Sequence, residues 1–207
     1  RDFVANVSHE IRTPLTVLAG FVDTLASVPL SATEQPRVLA LMRQQTTRIQ
    51  SLVDDLLTLA QLEGSPRPSS DQWLSGDALV ARVFGEAELL SAGRHELSLK
   101  AQPGLEVAGI ESELTSAMAN LLGNAVRYTP DGGRIAVLWQ VRAADGCAVF
   151  EVRDNGIGIA REHLPRLTER FYRVDGSRSR ETGGTGLGLA IAKHALARHD
   201  AVLEVQS

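Results

Sequence analysis

The chain has 207 residues, 43% of them hydrophobic and 22% charged, with a formal net charge of −4. That is the balance of an ordinary globular protein, and the negative sign argues against a general nucleic-acid binder, which carries a basic surplus. The lone Cys147 excludes an internal disulfide and fits a reducing compartment, and no apolar run approaches the roughly 20 residues needed to cross a bilayer.

Aromatics make up 4% of the chain, so aliphatic cores are expected. The chain opens mid-pattern at RDFVANV and closes on AVLEVQS, a strand-like run. It reads as a cytoplasmic fragment of something longer.

From Val4 the apolar positions run Val4, Val7, Ile11, Leu18, Phe21 and Leu25, with Pro14 filling the missing step. Alternating three- and four-residue spacing is the seam of a coiled coil or bundle. Val38, Met42, Gln45, Ile49, Leu52, Leu56 and Leu59 repeat it in a second helix. Between them, VPLSATEQP reads as a turn, with Thr33 as the expected N-cap and Pro36 in the first turn. Leu15, Val22, Leu41, Val53 and Leu57 widen the apolar face beyond one seam. A face that wide suits a four-helix bundle formed by two hairpins. Packing of the hairpin on a second domain of its own chain is the alternative.

GSPRPSSD, residues 64–71, has linker composition, dividing the chain into a hairpin at 1–63 and a second domain at 72–207. SGDALVARVFGEAELLSA and ESELTSAMANLLGNAVRY read as helices, whereas HELSLKA, RIAVLWQV and CAVFEVRD alternate like strands. HLPRL predicts a short helix and GLGLAIAKHALARH a longer one. The order implies an α/β sandwich, helices on one side of a mainly antiparallel sheet.

Four stretches carry chemistry. With Val4 at heptad position a, His9 falls at f, farthest from the seam, with Thr13 on its face, Asn6 nearby and Glu10 beside it. An exposed imidazole whose second nitrogen is held by a carboxylate is a plausible nucleophile. Pro14 removes a backbone hydrogen bond one turn on and predicts a bend. In NLLGNAVRYTPDGG, Asn120 and Asn124 share a helix face, and amide oxygens suit a Mg²⁺ that also binds phosphates. Arg127 can meet a phosphate, and Tyr128 a base or ribose. VRDNGIGIA ends a strand in Asp154, expected to be a buried carboxylate able to accept from an exocyclic amine, and Gly156 and Gly158 let the backbone turn tightly. GGTGLGLAIAKH opens a helix with a glycine cluster, an anion site by virtue of free N–H groups and the helix dipole. The preceding segment carries Arg170, Arg173, Arg178 and Arg180, the composition of a mobile lid over phosphates. Each motif alone has a bland reading, as a surface histidine, a helix-surface amide pair, a hairpin turn or a solvated loop.

In this order they closely resemble the bacterial sensor histidine kinases of two-component systems: SHEIRTP the H box, NLLGNAVRYTP the N box, DNGIGI the G1 box, ERFYR the F box and GGTGLGLAI the G2 box. More narrowly, RDFVANVSHEIRTPLTVL and LPRLTERFYRVD resemble the phosphate-regulon branch. The resemblance implies a dimerising helical hairpin followed by a Bergerat-type (GHKL) ATP-binding sandwich. It implies that His9 takes the γ-phosphoryl group of ATP, that Glu10 is its base or orienting carboxylate, and that Thr13 serves dephosphorylation of a response regulator. Asp154 would read adenine, and Asn124 would ligate Mg²⁺ with Asn120 close by. Arg127, Tyr128 and Arg173 would contact nucleotide, and Gly156, Gly158, Gly184, Thr185, Gly186, Leu187 and Gly188 would shape pocket and lid. A response-regulator receiver domain, that of the phosphate regulon, would be the partner. The parent protein would be a membrane-anchored homodimer controlling the phosphate-starvation response. Two departures stand out: the family's final strand is missing after Ser207, and Asp200 stands where a glycine commonly follows the last helix. The rival classes are an ATPase of the chaperone, topoisomerase or mismatch-repair type and a non-catalytic dimerisation module.

Overall fold

The computed structural model describes residues 2–69, 71–174 and 184–207. Two long helices open the chain, α1 (Asp2–Ser27) and α2 (Glu34–Gly64). The seam holds: Val7, Ile11, Leu18, Phe21 and Leu25 of α1 and Val38, Met42, Gln45 and Ile49 of α2 are half-buried, and Pro14, Leu52 and Leu59 are buried. Val4 is exposed. The α1 helix runs through Pro14 without interruption. The start of α2 differs from expectation. Thr33 makes no side-chain cap; Ser31 Oγ accepts from the Glu34 N–H at 3.3 Å and the Glu34 carboxylate accepts from the Ser31 N–H at 2.9 Å. This is a reciprocal capping box, and these bonds hold the Glu34 carboxyl below its ordinary range.

The second half runs β1 (Trp73–Ser75), α3 (Gly76–Ser91), β2 (Glu96–Ala101), β3 (Glu106–Ala108), α4 (Glu111–Tyr128), β4 (Arg134–Val141), β5 (Ala148–Asp154), a 3₁₀ turn at Leu164–Arg166 and α5 (Gly188–Arg198). In the three-stranded sheet β2 pairs parallel with β4, and β4 antiparallel with β5; β1 and β3 form a separate antiparallel pair. The parallel pair arises because the chain leaves β2 and returns through α4 before β4, a crossover rather than a hairpin. Residues 201–207, strand-like in sequence, pair with no strand.

Alternation along β4 buries Ile135, Val137 and Trp139 on one face, where they meet Leu79, Val80 and Val83 of α3 and Leu114, Met118, Leu122 and Val126 of α4. Each such burial contributes about 1.5–3 kcal/mol. A second cluster joins the two halves. Leu52, Leu59 and Leu62 of α2 pack on Ala117 of α4 and on Leu187, Ile191, Ala192 and Ala195 at and within α5. The hairpin thus packs on its own chain, the alternative raised above, while Leu15, Val22, Leu41, Val53 and Leu57 stay exposed.

At the end of that contact, Arg198 donates to both Glu113 carboxylate oxygens at 2.8 and 2.9 Å and to the carbonyls of Leu62, Ser65 and Pro66 at 2.7–3.0 Å. One guanidinium so caps the spare carbonyls at the C-terminus of α2. Asp200 follows with φ +53°, the left-handed conformation that a glycine would adopt without penalty.

Candidate functional site

His9 is exposed on α1, as its heptad position requires. The Thr13 hydroxyl donates to the His9 carbonyl at 3.2 Å, so it is bound to the helix backbone one turn away. Glu10 is partly buried. Its carboxylate accepts from Arg48 Nη2 of α2 at 3.1 Å and lies 4.0 Å from Arg173 Nη1. Facing His9, Asn6 and Glu10 across a cavity of about 330 Å³ stand Arg166, Glu169, Arg170 and Tyr172.

That facing segment is locally braced. Tyr172 and His163 share a 2.7 Å hydrogen bond, the Arg166 guanidinium lies 4.2 Å from the Tyr172 ring centroid, and Arg166 pairs with Glu169. Arg170 pairs with Glu63 of α2. Arg173 is almost wholly enclosed beside Glu10. These two arginines therefore sit against the hairpin rather than on a mobile lid, because α2 and α1 offer carboxylates within reach. Arg178 and Arg180 lie outside the described residues.

The other motifs gather along α4, at the end of β5 and at the start of α5. Asn120 Nδ2 donates to the Ser116 carbonyl at 2.9 Å, and a Cβ on Gly188 would lie 2.4 Å from Asn120 Oδ1, so α5 starts in close contact with that amide. Asn124 Oδ1 accepts from Arg127 Nη1 at 3.3 Å. A Cβ on Gly184 would stand 3.6 Å from the Tyr128 hydroxyl and 3.9 Å from Arg127 Nη1, which places the start of the glycine loop against the end of α4. Gly186 has φ +75°, and a Cβ there would meet the Phe171 backbone at 3.0 Å; its carbonyl accepts from the Phe171 N–H at 2.9 Å. Leu187 is fully buried in the interdomain cluster.

At the end of β5, Asp154 Oδ1 accepts from the Gly156 N–H at 2.9 Å, and a Cβ on Gly156 would lie 2.6 Å from the Tyr128 carbonyl oxygen. No larger residue fits that crossing. Asp154 itself is exposed, not buried as expected, because the strand end opens onto the loop instead of a core. Gly158 adopts φ +69°, and a Cβ there would meet Ser207 Oγ at 3.5 Å.

One residue absent from the sequence reading reaches this group. The Thr185 hydroxyl donates to Asp55 Oδ2 of α2 at 2.5 Å. Burial pushes the Asp55 carboxyl up, and the Thr185 hydrogen bond and Arg127 charge pull the other way. Asp55 sits off the hydrophobic seam, next to a second aspartate, so no local pattern marked it.

The donor set suits a nucleotide with its metal: an acceptor at a strand end, a neutral amide oxygen, an arginine, and a close-packed glycine loop opening α5. Residues 1–65 match the His Kinase A (phospho-acceptor) domain, and residues 109–207 match the histidine kinase-, DNA gyrase B- and HSP90-like ATPases. The chain belongs to the sensor histidine kinases of two-component systems.

It is similar to the phosphate regulon sensor protein PhoR of Pseudomonas aeruginosa, at 53% identity over 209 residues, covering 100% of this chain and 47% of that protein. Full-length ShkA, solved in complex with AMPPNP, superimposes with a TM-score of 0.60 at 29% identity, covering 95% of this chain and 41% of that one. Histidine kinase ThkA, solved in complex with the response regulator protein TrrA, gives a TM-score of 0.71 at 17% identity over 97% of this chain and 55% of that one, a likeness of fold alone. The chain spans about half the length of the curated relatives it matches. No helix among the described residues is long and apolar enough to cross a membrane.

Proposed function

We propose that this chain is the kinase core of a two-component sensor: it takes the γ-phosphoryl group of ATP onto His9 and passes it to an aspartate of a response regulator. The observation that carries this reading is an exposed imidazole held on α1, on the same chain as a nucleotide donor set whose parts meet at the ends of α4, β5 and α5. In outline the hairpin is residues 1–63, the linker 64–71 and the catalytic domain 72–207.

ATP supplies the phosphoryl group when bound. Asp154 is assigned to the adenine amine, with Gly156 and Gly158 giving the backbone its turn around the base. The Asn124 amide oxygen is a Mg²⁺ ligand, with Asn120 close by. Arg127, Arg173 and Thr185 are assigned to phosphates, and Tyr128 to base or ribose. Gly184, Gly186, Leu187 and Gly188 form the loop that opens α5. His9 offers a ring nitrogen to an in-line donor, and Glu10 is assigned to hold the other nitrogen's proton. Thr13 shares the His9 face and is the residue for hydrolysing the regulator's phosphoryl group, a phosphatase role.

The exposed flank of the hairpin, Leu15, Val22, Leu41, Val53 and Leu57, supports a homodimer in which two hairpins make a four-helix bundle. The likeness to PhoR supports a membrane-anchored parent protein, a phosphate-starvation role and the phosphate regulator as partner. Incubation with Mg²⁺ and γ-labelled ATP should give acid-labile, alkali-stable label on the protein, lost in His9→Gln. Label that survives in His9→Gln, or free phosphate with no labelled protein, rejects the kinase reading.

A further inference from the structure

The nucleotide motifs are not open to solvent on every side; α2 leans on them. Leu59, one turn beyond Asp55, is 1% exposed in the interdomain cluster, and Leu52 is 3% exposed one turn before it. These two leucines fix the face of α2 that carries Asp55 against the start of α5. From there the Asp55 carboxylate takes the Thr185 hydroxyl proton in a 2.5 Å hydrogen bond. The same hydroxyl oxygen accepts from the Leu187 N–H at 3.2 Å, so it also orders the turn that opens α5. Asp55 feels the positive charge of Arg127, which holds the Asn124 amide oxygen. One carboxylate from the hairpin therefore engages a hydroxyl that the proposed function assigns to phosphate, and it lies in the field of a guanidinium assigned to the same group.

We propose that Asp55 is a built-in competitor for nucleotide phosphates: the hairpin carboxylate and the phosphate chain take turns on the Thr185 hydroxyl. The hydroxyl has one proton to donate, so two anions cannot both accept it, and side by side they repel. Occupancy of the site then loosens α2 from α5, and docking of α2 weakens nucleotide binding by the same factor, since such coupling is reciprocal. The contact makes interdomain docking sensitive to whether the site is loaded. This inference rests on the nucleotide assignment of Thr185 and Arg127.

The test is a titration of the unmodified chain, Asp55→Asn and Asp54→Asn with AMPPNP and Mg²⁺, read as a dissociation constant by calorimetry. Asp54 is the exposed neighbour and supplies the same charge change without the contact. Asp55→Asn should bind about tenfold more tightly, within the 5- to 150-fold range of such couplings, and Asp54→Asn should match the unmodified chain. A second readout needs no nucleotide: in the free protein the Leu187 and Ile191 amides should exchange faster in Asp55→Asn. Equal or weaker affinity in Asp55→Asn overturns the competitor, as does an equal gain in Asp54→Asn or unchanged exchange at Leu187. An unmodified chain that binds no AMPPNP rejects the nucleotide site itself, a different failure.

Discussion

The core within the second half and the cluster between the two halves are built from the same aliphatic chemistry, yet they differ in what surrounds them. The first is enclosed by the three-stranded sheet and by α3 and α4, with the buried Trp139 ring closing over Gly76. The second is a single face, with leucines of α2 laid on alanines of α5. Its rim is polar: Glu10 with Arg173, Glu63 with Arg170, Asp55 with Thr185, and Glu113 with Arg198. A core sealed on all sides has no alternative solvation. A face rimmed by ion pairs can exchange those partners for water, so it can open without unfolding either half. On the proposed function, in which His9 meets first a nucleotide and then a regulator, a separable contact is the required kind.

Truncation separates the two regions. Leu122→Ala, at a site 1% exposed inside the first core, should cost about 2–5 kcal/mol of stability in denaturant unfolding of the second half. A loss below 1 kcal/mol would mean that this core is not closed. Arg198→Ala leaves the Glu113 carboxylate and three carbonyls without their donor, and should cost about 2–3 kcal/mol, read as faster hydrogen exchange at the C-terminal turn of α2. Leu59→Ala should cost about 2 kcal/mol of docking alone. Exchange at Ile191 and Ala195 should rise, and the unfolding of the second half should keep its midpoint. A midpoint that falls with Leu59→Ala would show the two regions to be one cooperative unit. Smallest is Ser31→Ala, which removes half of the capping box and should lower stability by about 1 kcal/mol, confined to the first turn of α2 in exchange measurements.

Much of the frame was legible because it repeats. The seven-residue rhythm located α1 and α2 and put His9 on the wet side, and alternation located β4 and β5 to the residue or nearly so. The five ordered boxes gave the family. The short strands β1 and β3, three residues each, escaped because alternation cannot register over that length. Thr33 is the expected cap because it stands next to the helix, whereas the Ser-x-x-Glu spacing that forms the reciprocal cap begins two residues earlier. Asp55 and Arg198 were illegible for another reason. Their partners lie 85 to 136 residues away and follow no local period. The docking of Arg170 and Arg173 on hairpin carboxylates is of the same kind, and it turned an expected free loop into a contact.

Pro14 has a consequence for motion. It has no N–H, so the Glu10 carbonyl lacks the rung that every neighbouring carbonyl receives, while the carbonyl of His9 gains a second donor in the Thr13 hydroxyl. Stiffness along α1 is therefore uneven, with a soft joint placed at His9 itself. A push delivered anywhere along this rod concentrates its bending there, and the His9 imidazole turns by a small angle without melting the helix.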